Sequence, residues 1–173
     1  IKRLKIKYIY LSSRKVYFLN NNIKENSKLK PTCNYSKNKL ITEKKIKEIL
    51  PNKYLILRIS NIIGKINKKT ASRKVSITFI DNFYKFKKRK KVFYENFYKD
   101  FLSEKQFSLI FNEILKKDLK GIYNVSLGKK VFISEILLAL NKNKMDKKFC
   151  KLDPISKDNF VLNNQKLKKK INI

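Results

Sequence analysis

The stretch Tyr-Leu-Ile-Leu-Arg-Ile-Ser at 54–60 constrains this chain more than any other. A strand with one face in water alternates apolar and polar residues. This run is almost continuously apolar, so as a strand it must be covered on both faces, which makes it parallel and buried. Just upstream, Leu40, Ile41, Ile46, Ile49 and Leu50 recur at helical spacing from Tyr35 until Pro51 closes the element. Before that, Lys-Ile-Lys-Tyr-Ile-Tyr-Leu-Ser at 5–12 reads as a second strand, followed at 20–34 by a polar loop rich in Asn, Lys and Ser. Strand, helix and strand in this order predict an α/β chain built on part of a doubly wound parallel sheet.

Beyond Gly64 the pattern loosens. Residues 66–74 read as an exposed basic loop, and 75–87 as an amphipathic helix using Val75, Ile77, Phe79, Ile80, Phe83 and Phe86. A short strand and turn in Lys-Val-Phe-Tyr-Glu-Asn-Phe-Tyr-Lys-Asp-Phe leads to a helix over 104–117, with Phe107, Ile110, Phe111, Ile114 and Leu115 inward. Gly-Ile-Tyr-Asn-Val-Ser-Leu-Gly at 121–128 is a further strand, and a helix opens within 131–140 with Ser134 as its cap. The tail carries one last apolar cluster and then lysines.

Composition removes whole classes of chemistry. There is no His, which excludes His-based acid/base catalysis and His-containing metal sites. Cys33 and Cys150 lie far apart and form no C-x-x-C, so a reduced, cytoplasmic and metal-free protein is expected. No apolar run approaches the roughly 20 residues that cross a bilayer. The 44 Lys and Arg against 13 Asp and Glu give a formal charge of +31, which first suggests a polyanion partner. Only five of those residues are Arg (Arg3, Arg14, Arg58, Arg73 and Arg89), and Lys is spread through every segment, so nucleic acid is the disfavoured partner and a solvated lysine surface the favoured one.

The chemistry-bearing pattern is Tyr35-Ser-Lys-Asn-Lys39. Residues four apart on a helix share a face, with Cβ atoms about 6 Å apart. An ammonium beside a phenol stabilises the phenolate and fits the pair for proton transfer at oxygen. Ser13, just past the first strand, stands where open α/β sheets bind their ligands. With Tyr35 it would present two hydroxyls to one carbonyl or carbinol oxygen, while a cofactor moves a hydride at carbon.

These residues sit within five ordered landmarks: Ser-Ser-Arg-Lys-Val-Tyr at 12–17, Tyr-Ser-Lys-Asn-Lys-Leu-Ile-Thr-Glu at 35–43, Leu-Arg-Ile-Ser-Asn-Ile-Ile-Gly at 57–64, Lys-Asp-Phe-Leu-Ser at 99–103 and Gly-Ile-Tyr-Asn-Val-Ser at 121–126. Together they resemble the extended short-chain dehydrogenase/reductase family. Its branch of nucleotide-sugar epimerases, dehydratases and 4-keto-sugar reductases, dTDP-4-dehydrorhamnose reductase among them, is the nearest. The resemblance implies a partial Rossmann-like sheet over 1–64 as part of the nucleotide-binding domain. It implies a small α/β substrate-binding region over 65–173, interleaved with a strand returning near 121–126. It implies Tyr35 as catalytic acid/base, Lys39 on the nicotinamide ribose, Ser13 on the reacting sugar oxygen, Arg58, Ile59 and Ser60 beside the nicotinamide of NAD or NADP, and Asn61 on the substrate diphosphate. Asp100 and Phe101 match a turn read here as structural, and Gly121, Tyr123 and Asn124 read as strand packing and loop shaping. Glu43 reads as a helix-surface partner for Lys39 or Lys47.

Two departures shape the expectation. The three glycines, Gly64, Gly121 and Gly128, form no G-x-G-x-x-G turn to cradle a pyrophosphate, so the chain is expected to be the later part of such an enzyme, truncated, split from an N-terminal half, or a remnant. Where the family's dehydratases carry an Asp-Glu pair after the Ser/Thr, this chain has Arg14 and Lys15, which disfavours elimination. The expected function is therefore an NAD(P)-dependent nucleotide-sugar oxidoreductase or isomerase of carbohydrate biosynthesis, pairing as a homodimer through the Tyr35 helix. A degenerate non-catalytic homologue and a basic polyanion or nucleic-acid binder are the alternatives.

Overall fold

The computed structural model describes residues 8–64, 93–94, 96–140, 150–151 and 159–171. The helix expected at 75–87 and the loop at 66–74 lie outside the described residues. A central strand, β2 (Tyr54–Ile59), lies between β1 (Tyr8–Ser13) and a later strand, Gly121–Val125, parallel to both. Tyr8 pairs with Tyr54 and Ser13 with Ile59 on one side, and Leu55 with Gly121 and Ile59 with Val125 on the other. Helix α1 (Asn34–Ile49) supplies the crossover from β1 to β2 that parallel pairing requires. The expected first strand begins at 5, and its described part runs from Tyr8 through Ser13.

From Leu55 to Arg58 the side chains of β2 are buried, as a strand covered on both faces requires. Its two rows differ. Leu55 and Leu57 join Tyr123 and Val125 against Ile110 and Ile114 of helix α2 (Glu104–Leu115), with Leu102, Leu167 and Ile171 closing the cluster. Arg58 faces α1 instead, where Glu43 meets it. Full burial of a leucine contributes about 1.5–3 kcal/mol, so the first row anchors the sheet by area alone.

After β2 come β3 (Asn61–Ile63), β4 (Phe93–Tyr94), β5 (Tyr98–Lys99), β6 (Phe101–Ser103), α2, β7 (Gly121–Val125), β8 (Val131–Phe132), α3 (Ile133–Leu140), β9 (Cys150–Lys151) and α4 (Gln165–Lys168). Beside β2, β3 pairs in parallel with β6, while β5 and β8 pair antiparallel. Ser103 caps α2, its Oγ accepting from the Gln106 amide while the Gln106 side chain accepts from the Ser103 amide. Entry into β7 is at Gly121, whose φ of +96° lies in the region that favours glycine. Helix α3 departs from expectation: it begins at Ile133, so Ser134 lies inside the first turn, and the Glu135 carboxylate accepts from the Phe132 amide at 3.3 Å.

A second apolar cluster is assembled from the two ends of the chain. Val16, Tyr17 and Ile23 pack against Phe160 and Leu162, with Leu19 and Leu40 at the margin. Ile23 bridges Leu162 and Tyr17 bridges Leu29, so the polar segment after β1 and the apolar part of the tail form one wall. No helix among the described residues is long and apolar enough to cross a membrane.

Candidate active site

Ser13 ends β1 and caps the 3₁₀ turn Arg14–Val16, its Oγ accepting from the Lys15 amide at 3.3 Å. Tyr35 occupies the first turn of α1 and is 53% exposed, so its phenol is open to a ligand. One turn later, Lys39 donates from Nζ to the Leu11 carbonyl at 2.8 Å. That bond pins the ammonium beside the C-terminal end of β1, 5.7 Å from the Tyr35 ring centroid and 4.8 Å from that of Tyr10. Lys15 brings a second ammonium to 5.8 Å from the Tyr35 ring. The helix spacing thus joins Tyr35 to Lys39, and the Leu11 bond joins both to the strand that ends in Ser13.

Of the other candidates, Ile59 is the Cα partner of Ser13 across the sheet and packs on the main core. Ser60 is buried and donates to the Asp100 carbonyl at 2.6 Å, and Asn61 continues into β3 opposite Phe101. Arg58 is 1% exposed and held by Glu43, with Nη2 to Oε2 at 2.6 Å and Nε to Oε1 at 3.0 Å. Its Nη1 donates to the Glu25 carbonyl at 3.0 Å. Burial works against the Arg58 charge, but the Glu43 bonds and Tyr17 outweigh it, and the guanidinium stands above the ordinary arginine value.

Glu43 overturns its surface reading, because it is completely buried. Besides Arg58 it accepts from Ser12 Oγ at 2.5 Å. A signal was present in the sequence: an arginine inside an apolar strand needs a buried acid, and Glu43 stands on the helix between the paired strands. Beyond Arg58 lies Tyr17, its ring centroid 4.6 Å from the guanidinium carbon. Burial pushes the Tyr17 phenol up to about 12, keeping it a neutral donor to Asn124 Oδ1 at 2.8 Å. Asn124 in turn donates to the Ile23 and Asn163 carbonyls, the loop-shaping part its position suggests.

A cleft of about 940 Å³ reaches the surroundings of Tyr35 through Lys15 and Cys33, while Ser13, Tyr35 and Lys39 are not among its described lining residues. Tyr17, Phe18, Leu19 and Tyr98 supply its apolar lining, Asn20, Asn21 and Asn159 its amides, and Arg14, Lys15, Lys30 and Lys99 its charge. No described lining residue is acidic, so the cleft favours an anion. Cys33, also on its wall, is an exposed thiol held below the ordinary range chiefly by the Ser36 hydroxyl. The sequence singles out the Tyr35–Lys39 pair but not this cleft, whose lining spans residues 14 to 159.

A nicotinamide dinucleotide fits these residues at one end only. Lys39, Ile59 and Ser60 stand where the β1 and β2 strands end, but none of the three glycines makes a phosphate cradle. A Cβ at Gly64 would collide with the Glu104 side chain, which marks close packing at α2, not a phosphate turn. Gly128, with φ +68°, lies against Asn164 in the same structural manner.

The model of the NAD dependent epimerase/dehydratase family matches residues 1–125. No curated protein matches the chain significantly. Among solved structures it is similar to the Bordetella bronchiseptica enzyme WbmG in complex with NAD, at 22% identity and TM-score 0.72, over 94% of this chain and 52% of that one. The UDP-N-acetylglucosamine 4-epimerase from Methanobrevibacter ruminantium in complex with UDP-N-acetylmuramic acid is 23% identical, with TM-score 0.69 over 96% and 56%. RMD from Pseudomonas aeruginosa complexed with NADPH is 16% identical, with TM-score 0.73 over 98% and 61%. The chain therefore spans little more than half the length of the solved structures it matches. At these identities the likeness establishes the Rossmann-like α/β fold.

Proposed function

Since the chain belongs to the NAD dependent epimerase/dehydratase family, we propose that it is the catalytic and substrate-binding part of an NAD(P)-dependent nucleotide-sugar reductase or epimerase. The observation that carries this reading is a cationic cleft, with no acid among its described lining residues, that meets the surroundings of the Tyr35–Lys39 pair through Lys15 and Cys33. A nucleotide sugar presents a diphosphate for Lys15, Lys30 and Lys99, and flat or apolar surfaces for Tyr17, Phe18 and Tyr98.

When bound, a nicotinamide would supply hydride transfer at the sugar carbon. This chain's residues serve the oxygen. The Tyr35 phenol gives or takes the proton at the sugar hydroxyl or ketone, and the Ser13 hydroxyl hydrogen-bonds the same atom. Lys39, fixed by the Leu11 carbonyl, sets the electrostatic field at Tyr35 and offers its remaining N–H bonds to the cofactor ribose. Ile59 and Ser60 flank the nicotinamide end, and Asn61 serves the diphosphate. Arg14 and Lys15 follow Ser13 where an elimination would need an acid and a base, so reduction or epimerisation is the reaction proposed.

Titration of the chain with UDP-N-acetylglucosamine by calorimetry tests the cleft: saturable binding is expected, weakened by Lys30→Ala and Lys99→Ala. In the enzyme supplied with its dinucleotide, Tyr35→Phe should lower turnover by about 10²-fold or more while leaving sugar-nucleotide affinity in place. Unchanged turnover removes Tyr35 from its role. Tight duplex DNA binding that collapses with rising salt, without sugar-nucleotide binding, would replace the proposal with a polyanion-binding function.

A further inference from the structure

Glu43 is fully buried, and both its oxygens are occupied: Oε1 by Ser12 Oγ at 2.5 Å and Arg58 Nε at 3.0 Å, Oε2 by Arg58 Nη2 at 2.6 Å. Stability alone is a poor account of such an arrangement. Desolvating two charges costs so much that well-packed apolar residues of the same volume often serve the fold as well or better, and register is the best-attested use of a buried pair. What matters here is where the three partners stand. Ser12 immediately precedes Ser13; Glu43 lies one helical turn beyond Lys39; Arg58 is the Cα partner of Ser12 across the sheet.

We infer that Glu43 is a positioning residue: by clamping α1 to the facing residues Ser12 and Arg58 it sets the height of the helix against the strand ends, and thereby the placement of Lys39 and Ser13. This rests on the function proposed above for those two residues. Apolar contacts between a helix and a sheet tolerate sliding, whereas three directional bonds of 2.5–3.0 Å to two strands do not. The Lys39 Nζ bond to the Leu11 carbonyl spans the same gap between α1 and β1, so its geometry depends on that height. Arg58 extends the clamp to the cleft, holding the Glu25 carbonyl at 3.0 Å and stacking on Tyr17, which lines it. The proton-transfer pair and the cleft wall are thus referred to one buried carboxylate.

The test compares Ser12→Ala and Glu43→Asp with Ile114→Val, a core change on the opposite side of the sheet. Glu43→Asp keeps the charge and shortens the arm by one methylene; Ser12→Ala removes one bond and leaves the ion pair, so it folds even if the other does not. Two readouts are taken beside melting temperature: the side-chain ¹⁵Nζ resonance of Lys39, assigned by its loss in Lys39→Arg, and the dissociation constant of UDP-N-acetylglucosamine. Both clamp variants should displace the Lys39 resonance and weaken binding by about tenfold, the scale of one misaligned hydrogen bond to the ligand, while Ile114→Val lowers melting temperature and moves neither. If Ser12→Ala lowers melting temperature yet leaves resonance and affinity where Ile114→Val leaves them, the inference is overturned. If the unaltered chain binds no nucleotide sugar, the functional reading fails, and the Lys39 resonance alone decides the clamp.

Discussion

The two faces of β2 hold their helices by different physics. Toward α2, Leu55 and Leu57 meet Ile110 and Ile114 in a layer where area removed from water supplies the attraction and no contact has a required direction. Toward α1, Arg58 meets Glu43 through bonds whose lengths and angles are fixed, at the cost of burying two charges. The apolar face keeps the strand in place. The charged face keeps a particular residue of α1 in place, and it is the face on which Tyr35 and Lys39 are carried. A fold can thus separate anchoring from alignment within one six-residue strand.

The difference can be broken from either side. Arg58→Met should be the most damaging change, about 3–5 kcal/mol, because it leaves Glu43 as an uncompensated buried charge; chemical denaturation measures it, and a loss below 1 kcal/mol would show that the pair is not shielded from water. Leu57→Ala should cost about 2–5 kcal/mol through the lost transfer energy and the cavity left behind. Unlike Arg58→Met it should leave the Lys39 environment as it was, and a shifted Lys39 resonance would erase the contrast between the faces.

Asp100, another buried carboxyl, sharpens the comparison because no cation clamps it among the described residues. Asp100 is raised from its ordinary 3.8 to about 6, first by burial, which the Leu162 amide and the Ser126 hydroxyl only partly offset. Its folded value stands above the unfolded one, so its contribution to stability is whole below about pH 4 and is lost as pH rises through about 6. From pH 4 to 7.5 this amounts to up to about 3 kcal/mol. Melting temperature should fall across that window, and Asp100→Asn should flatten the fall. A profile with the same slope in both proteins would show that other groups carry it.

The apolar periods located α1, β2 and α2 because each of those patterns is local. The continuous apolar run of 54–60 demanded two covered faces and received them, and the four-residue interval from Tyr35 to Lys39 placed a phenol and an ammonium on one side of a helix. Ser134 failed as a cap for a local reason too: Glu135 offered the Phe132 amide an acceptor, and the helix began two residues sooner than a Ser134 cap would place it. Glu43 was misjudged because a carboxylate among lysines on a helix resembles a surface residue until its strand partner is known.

By itself, then, the sequence determined the parallel strand–helix–strand unit, the family landmarks and the spacing of Tyr35 and Lys39, all of which follow from backbone period and side-chain type over short distances. Only the tertiary structure decided that Glu43 faces Arg58 rather than solvent, and that Phe160 and Leu162 pack against Val16 and Ile23 while Tyr17 and Asn159, from the same two segments, line a cationic cleft. Those contacts join residues up to about 140 positions apart. Closing loops of that length is governed by what the ends bury and bond when they meet, and no local period in the chain records it.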